Sequence, residues 1–324
     1  MIVVQSNDAS GNEALAFTHD LQPSWRAATG GLGTGTPHLP SQGSIVTDGE
    51  HVLVANAGSC DVSLLSASGE LLAVTPSAGE RPVSIAVRGS SVYVLNAGSA
   101  SIHGFDLGAR SLEPRARSLY ALADGVDPAQ IAFAPDGESL IVTDRGGDAI
   151  VSIELDGDGL PIRSDVFPSS GMTPYGFDFA GDTLVVTEAF GGRVGAAAAS
   201  SYRVNGSITP VSASIPNTRS EVCWAVASAD GRHVWVTNFG DGTISRYDVA
   251  ADGSLELVAA IAATTVENAK GIRDAARSKD GTRLYALDAD AGQLFAYAIG
   301  SDGALTAAGT VGGLPATVAG LAAA

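Results

Sequence analysis

The chain has 324 residues, of which 45% are hydrophobic and 16% charged, with 40 Gly and 14 Pro. Lys and Arg total 18 against 35 Asp and Glu, a formal net charge of −17, so the basic footprint of a nucleic-acid or anionic-membrane binder is absent. The apolar content excludes a disordered chain, and the Gly-rich, Lys-poor balance suits many short strands joined by tight turns better than long helices.

Read from the N-terminus, Ile2-Val3-Val4-Gln5-Ser6-Asn7 is an apolar strand with a polar end. It carries neither a basic region nor a long apolar stretch, so a cytoplasmic chain is expected, although a mature secreted form would look the same. Nowhere does the sequence hold the ~20 consecutive apolar residues of a membrane helix. The run Gly30-Gly31-Leu32-Gly33-Thr34-Gly35 looks like a nucleotide loop, but Thr36-Pro37 and no helical pattern follow it. A phosphate-cradling helix terminus is therefore not expected there.

From this point one phrase recurs: an apolar strand that ends in Asn, Asp or Glu, a Gly-rich turn, and another strand. The copies are Val52-Leu53-Val54-Ala55-Asn56, Val92-Tyr93-Val94-Leu95-Asn96, Leu140-Ile141-Val142-Thr143-Asp144, Leu184-Val185-Val186-Thr187-Glu188, Val234-Trp235-Val236-Thr237-Asn238 and Leu284-Tyr285-Ala286-Leu287-Asp288. Their polar ends are 40 to 50 residues apart, the period of a four-stranded propeller blade. Asp-Gly pairs at 136–137, 230–231 and 280–281 supply hairpin turns. The tail Leu314-Pro315-Ala316-Thr317-Val318-Ala319-Gly320-Leu321 resembles an innermost strand, which the N-terminal copy lacks. The expected fold is all-β: one seven-bladed β-propeller over residues 1–324, with blade 1 completed by residues 314–321. Such closure removes the exposed edge of an open repeat.

In this geometry the start of each innermost strand and the end of the next meet on one rim of a central channel. A polar ring of Asn7, Asn56, Asn96, Asp144, Glu188, Asn238 and Asp288 is expected there. Around it should lie His38, Gln42, Arg81, Asp127, Gln130, Tyr175, Trp224, Lys270, Arg273 and Asp274. The competing reading is that Asn and Asp at strand ends cap turns through hydrogen bonds to the backbone. The two cysteines, Cys60 and Cys223, sit in no metal-ligand spacing, and the histidines at 19, 38, 51, 103 and 233 form no readable triad. No metal or cofactor is expected. Asp156-Gly157-Asp158-Gly159 reads as a hairpin turn, since it lacks the full pattern of a calcium loop.

The repeat phrase with a terminal Asn resembles the lactonase family of seven-bladed propellers. So do the stretches Asp127–Gly137, Pro174-Tyr175-Gly176-Phe177 through Thr187-Glu188, and Cys223-Trp224 through Thr237-Asn238-Phe239. That family includes bacterial 6-phosphogluconolactonases and fungal carboxymuconate-lactonizing enzymes, with YVTN-repeat surface proteins as looser relatives. The resemblance implies a site with a His at the head of blade four, a Gly-Pro-Arg-His phrase at the head of blade five, a Glu ending that blade's second strand, and an Arg after the Asn of blade six. These positions fall on Ala129 or Gln130, on Tyr175 and Gly176, on Glu188, and on Phe239. The Glu is retained and the cations are replaced, so a sugar phosphate loses the bidentate partners it needs.

The expected function is a lactonase-like enzyme, a hydrolase or cycloisomerase, acting on a small lactone or carboxylated ring at the channel rather than a 6-phosphogluconolactonase. In that reading Glu188 is the general base. Tyr175 and Trp224 form walls, Arg273 or Arg81 orients a carboxylate, and His38, Gln130, Asp144 and Asp288 complete the rim. The alternatives are a non-catalytic propeller that binds a small ligand or a protein, and a surface-associated structural protein. The oligomeric state is left open.

Overall fold

A computed structural model of the chain describes residues 1–36 and 39–324. Seven antiparallel sheets follow one another around a ring, six of them with four strands. In the third, the outer position is shared by Leu112–Pro114 and Tyr120–Ala121, which both pair with Ser101–Leu107. The innermost strands of blades 2 to 7 are Ile45–Thr47, Pro82–Arg88, Pro128–Phe133, Pro174–Ala180, Val222–Ala227 and Ile272–Arg277. Each second strand is buried almost throughout, as in Thr183–Glu188 and His233–Asn238, because both of its faces pack on neighbouring blades.

The ring closes as the repeat count requires. Ala319–Ala323 pairs antiparallel with Ile2–Gln5, which places Ile2 opposite Ala323 and Val4 opposite Leu321. This strand starts later than the expected 314–321, since Pro315 and Thr317 belong to the approach and not to the ladder. Pro315 accepts a turn bond from Val318 N–H, and Thr317 Oγ1 donates to the Ser6 carbonyl.

Innermost strands leave one edge unpaired toward the channel, and buried backbone groups need partners there. Side chains of adjacent blades supply them. Gln130 donates to the Phe177 carbonyl and accepts from Phe177 N–H, both at 2.8 Å, which clasps blade 4 to blade 5. Asp178 accepts from Ala227 N–H at 2.8 Å, and Asp274 accepts from Leu321 N–H at 2.8 Å. Gln42 reaches farther and donates to the Ala225 carbonyl of blade 6 at 3.1 Å, which spans the channel from blade 2.

Innermost strands 3 to 7 share a second device. Their ladders slip by a bulge after the first residue, between Pro174 and Phe177, Val222 and Ala225, and Ile272 and Asp274 in the last three. A bulge re-aims the side chains it releases from the ladder. Tyr175, Cys223 and Arg273 all lie in these slips. Threonines one residue before the polar strand end hold them in place. Thr187 Oγ1 accepts from Gly176 N–H and donates to the Cys223 carbonyl, Thr143 donates to the Tyr175 carbonyl, and Thr237 accepts from Trp224 N–H.

Candidate functional site

The polar strand ends do not form a channel ring. In blades 2 to 7 each turns into the sheet stack and ties down the crossover that arrives from the preceding blade, whereas Asn7 holds Thr34 and Thr36 of the crossover that leaves blade 1. Asn56 accepts from Thr29 and Asn12 and donates to Ser63 and Asp61. Asn238 accepts from Asn217 and donates to Thr243 and Ser245. Asn96 donates to the Ser77 carbonyl. Asp144 accepts from the Asp127 and Gly146 N–H groups, and Asp288 accepts from Thr265 Oγ1 and Ala291 N–H. These bonds are those of the turn-capping reading, and neither Asp144 nor Asp288 lines the cavity described below.

Glu188 belongs to the same set. It is fully buried, and its carboxylate accepts from Gly171 N–H at 2.8 Å, from Ser214 Oγ at 2.6 Å, and from the Ser200 and Ser169 hydroxyls. Burial raises its pKa, and the four donors act against that rise. Both of its oxygens are thus taken up by hydrogen bonds, and it does not line the cavity described below.

Gln130 is spent on its blade clasp. Arg81 is exposed at the head of blade 3, with a left-handed backbone at φ 53, and does not line the site below. His38 lies outside the described residues.

Three other expected residues do converge. Tyr175, Trp224 and Arg273 come together where the heads of blades 5, 6 and 7 meet. The Tyr175 ring lies 4.8 Å from that of Trp224. Trp224 is fully buried and donates from Nε1 to the Arg273 carbonyl at 2.6 Å, so it supports the wall from behind and does not form its surface. Arg145 stacks on Tyr175 at 5.1 Å, donates to its hydroxyl at 3.3 Å, and is itself paired with Asp127. Burial raises the Tyr175 pKa, so its phenol stays protonated at neutral pH.

In front of this support is a cavity of about 300 Å³ lined by Thr173, Tyr175, Glu221, Cys223, Phe239 and Arg273, among others. Phe239 forms its aromatic floor. The Arg273 guanidinium stacks over it at 4.4 Å and Lys270 Nζ at 5.4 Å. Arg273 is held by Asp290 at 3.0 Å, and Lys270 by both Glu221 oxygens at 3.0 Å. Burial pushes the Cys223 thiol up to about 12, which leaves it a poor nucleophile.

Sequence reading did not single out Glu221, Thr173 or Cys223 as site residues, and treated Phe239 only as a lost cation. The signal was present. Thr173 and Glu221, like Arg81, immediately precede an innermost strand and adopt positive φ, 56° and 52°. That conformation recurs at the heads of blades 3, 5 and 6, just before the bulge.

The cavity is further marked by the chain path. The connection after the second strand has four residues in blades 2, 3, 4, 6 and 7 but spans 189–197 in blade 5. Ala189, Gly191 and Gly192 of that longer connection line the cavity. Among the described residues no cluster of three or more His, Cys, Asp or Glu is arranged for a metal. Among the described residues no helix is long and apolar enough to cross a membrane.

Solved structures share this architecture at low identity. A Bacteroides fragilis protein provisionally named a 6-phosphogluconolactonase superposes with a TM-score of 0.75 at 16% identity, covering 99% of this chain and 96% of that one. A Lactobacillus plantarum protein gives a TM-score of 0.73 at 16% identity, over 99% and 98%. The periplasmic gluconolactonase of Pseudomonas aeruginosa gives 0.68 at 17% identity, over 99% and 97%. No curated protein matches the sequence. The family model described as lactonase, 7-bladed beta-propeller, matches residues 43–216 and 208–324. That match spans most of the blades, and the chain therefore belongs to the lactonase family of seven-bladed β-propellers.

Proposed function

We propose that this protein opens the ring of a small carboxylated lactone in the cavity at the heads of blades 5 to 7. The observation that carries the reading is an aromatic floor, Phe239, flanked by two cations, Arg273 and Lys270, with the Glu221 carboxylate at the same rim. A ring of apolar atoms would lie against Phe239 and Tyr175, and Arg273 would take the carboxylate. Glu221 would accept a proton from water as its oxygen attacks the acyl carbon. Lys270 would stabilise the negative charge that develops on the carbonyl oxygen, and Glu221 would return its proton to the ring oxygen as the ring C–O bond breaks, leaving a hydroxy acid. Replacement of family cations by Tyr175 and Phe239 favours such a substrate over a phosphorylated one.

The test is a panel of neutral, carboxylated and phosphorylated lactones with a pH indicator. Carboxylated rings should open fastest. Glu221→Gln should lower kcat at least about 100-fold, and Arg273→Ala should raise KM about tenfold. Background rates for the wild-type protein on every lactone would sink the reading. A second reading, ligand binding without turnover, is favoured by the buried, fully bonded state of Glu188. It predicts thermal stabilisation by hydroxy acids with no ring opening.

A further inference from the structure

The other end of the channel has its own cavity. The innermost strands finish there, on the face opposite the cavity just described, and their ends enclose about 670 Å³. All seven blades contribute apolar side chains, among them Val46, Val87, Phe133, Phe179, Ala276 and Ala323, each only partly covered. Gln42, whose amide crosses to blade 6, lines the inner end of this funnel.

Two polar features of this funnel are incompletely used by the protein. Gln42 Nε2 is spent on Ala225, and its Oε1, which has no partner among the described residues, exposes no surface to the funnel. Arg277 donates from Nε to the Ala227 carbonyl at 2.9 Å and from Nη1 to the Ser278 carbonyl at 3.0 Å. Its Nη2 has no hydrogen-bond partner among the described residues, and its charge is balanced only by the attraction of Asp178, with which it forms no direct ion pair. Arg88, on the same wall, is fixed by three carbonyls of the turn at 134–136 and adds positive charge. The acidic residue in the lining, Asp178, is occupied by the N–H groups of Ala227 and Phe179. In a chain of net charge −17 this is a local positive zone around an apolar space.

We propose that the funnel is a second ligand site, for a small carboxylate with an apolar body. The apolar body fills the seven-bladed wall and Arg277 takes the carboxylate at the mouth. The site is separate from the lactone-opening cavity and does not depend on it.

Isothermal titration with ω-hydroxydecanoate, decanoate and decanediol tests it. Saturable binding is expected for the two carboxylates, tighter than for the diol. Arg277→Gln should weaken it about tenfold, while Arg273→Gln on the opposite face should leave it unchanged. Because Arg277 also clasps blades 6 and 7, Ala276→Phe serves as a second variant: it fills the funnel, leaves that clasp intact, and should abolish binding. No saturable binding, equal affinity for the diol, survival in Ala276→Phe, or loss in Arg273→Gln would each overturn the proposal. None of these outcomes bears on lactone turnover.

Discussion

Glu188 stands where the family resemblance implies a catalytic Glu, yet its carboxylate is buried among four donors. Its four donors come from the crossover into blade 5 and from that blade's outer two strands. Glu188→Ala leaves those donors in a buried space, and we expect a loss of about 3 kcal/mol in urea unfolding. Glu188→Gln, which keeps one acceptor, should cost about a third of that. Neither should change lactone opening measured well below the melting transition. A large rate loss with unchanged stability would return Glu188 to the chemistry. The sequence could not distinguish the two roles, because the side chain at a strand end can turn toward the channel or into the sheet stack. Only the position of the serines at 169, 200 and 214 decides it. Tyr175 and Arg273 were legible for the opposite reason: they break the repeat at its head, where side chains have room.

At the scale of elements, the Gly-rich run 30–35 has a function that a motif search would miss. Gly33 N–H donates to the Asp8 carbonyl, Gly35 N–H to the Asn7 carbonyl, and Gly58 N–H to the Leu32 carbonyl. Three backbone segments meet with no room for a side chain: a Cβ on Gly33 would lie 2.1 Å from the Asn7 carbonyl carbon, and one on Gly58 the same distance from Gly33 O. Gly33→Ala should therefore destabilise the protein by about 3 kcal/mol, read by thermal and urea melts. A melt matching wild type would show that the loop can move aside. The strands and their turns were readable from period and Asp-Gly spacing, since both depend on local chemistry. The bulges were not, although the Thr before each polar end in blades 4, 5 and 6 marks where they are fastened.

For the whole molecule, the seam between the last blade and the first is held by a titrating group. Asp274 is fully buried and bonds Leu321 N–H and Ala275 N–H, and burial pushes its carboxyl up to about 8 from an ordinary value of 3.8. The native state thus holds a proton that the unfolded chain releases. The stabilisation is fully present below pH 3.8 and is lost as the pH rises through about 8. Asp274→Asn should flatten this part of the stability profile in urea titrations across that range, at the cost of one backbone acceptor. An unchanged slope would assign the pH dependence elsewhere. Closure was legible because the first copy lacked a strand and the tail supplied one. The identity of the fastening side chains was not, because it depends on which neighbour each innermost edge faces.

The ties between strand ends and incoming crossovers also bear on how such a chain can be lengthened or shortened. A blade carries the fastener for the segment that enters it, so the self-sufficient unit runs from one crossover through the next outer strand. A duplication or deletion cut at those crossovers would carry each lock together with its key. One cut at the apparent repeat boundary, beside the polar residue, would separate them and leave two neighbouring blades each missing half of a joint.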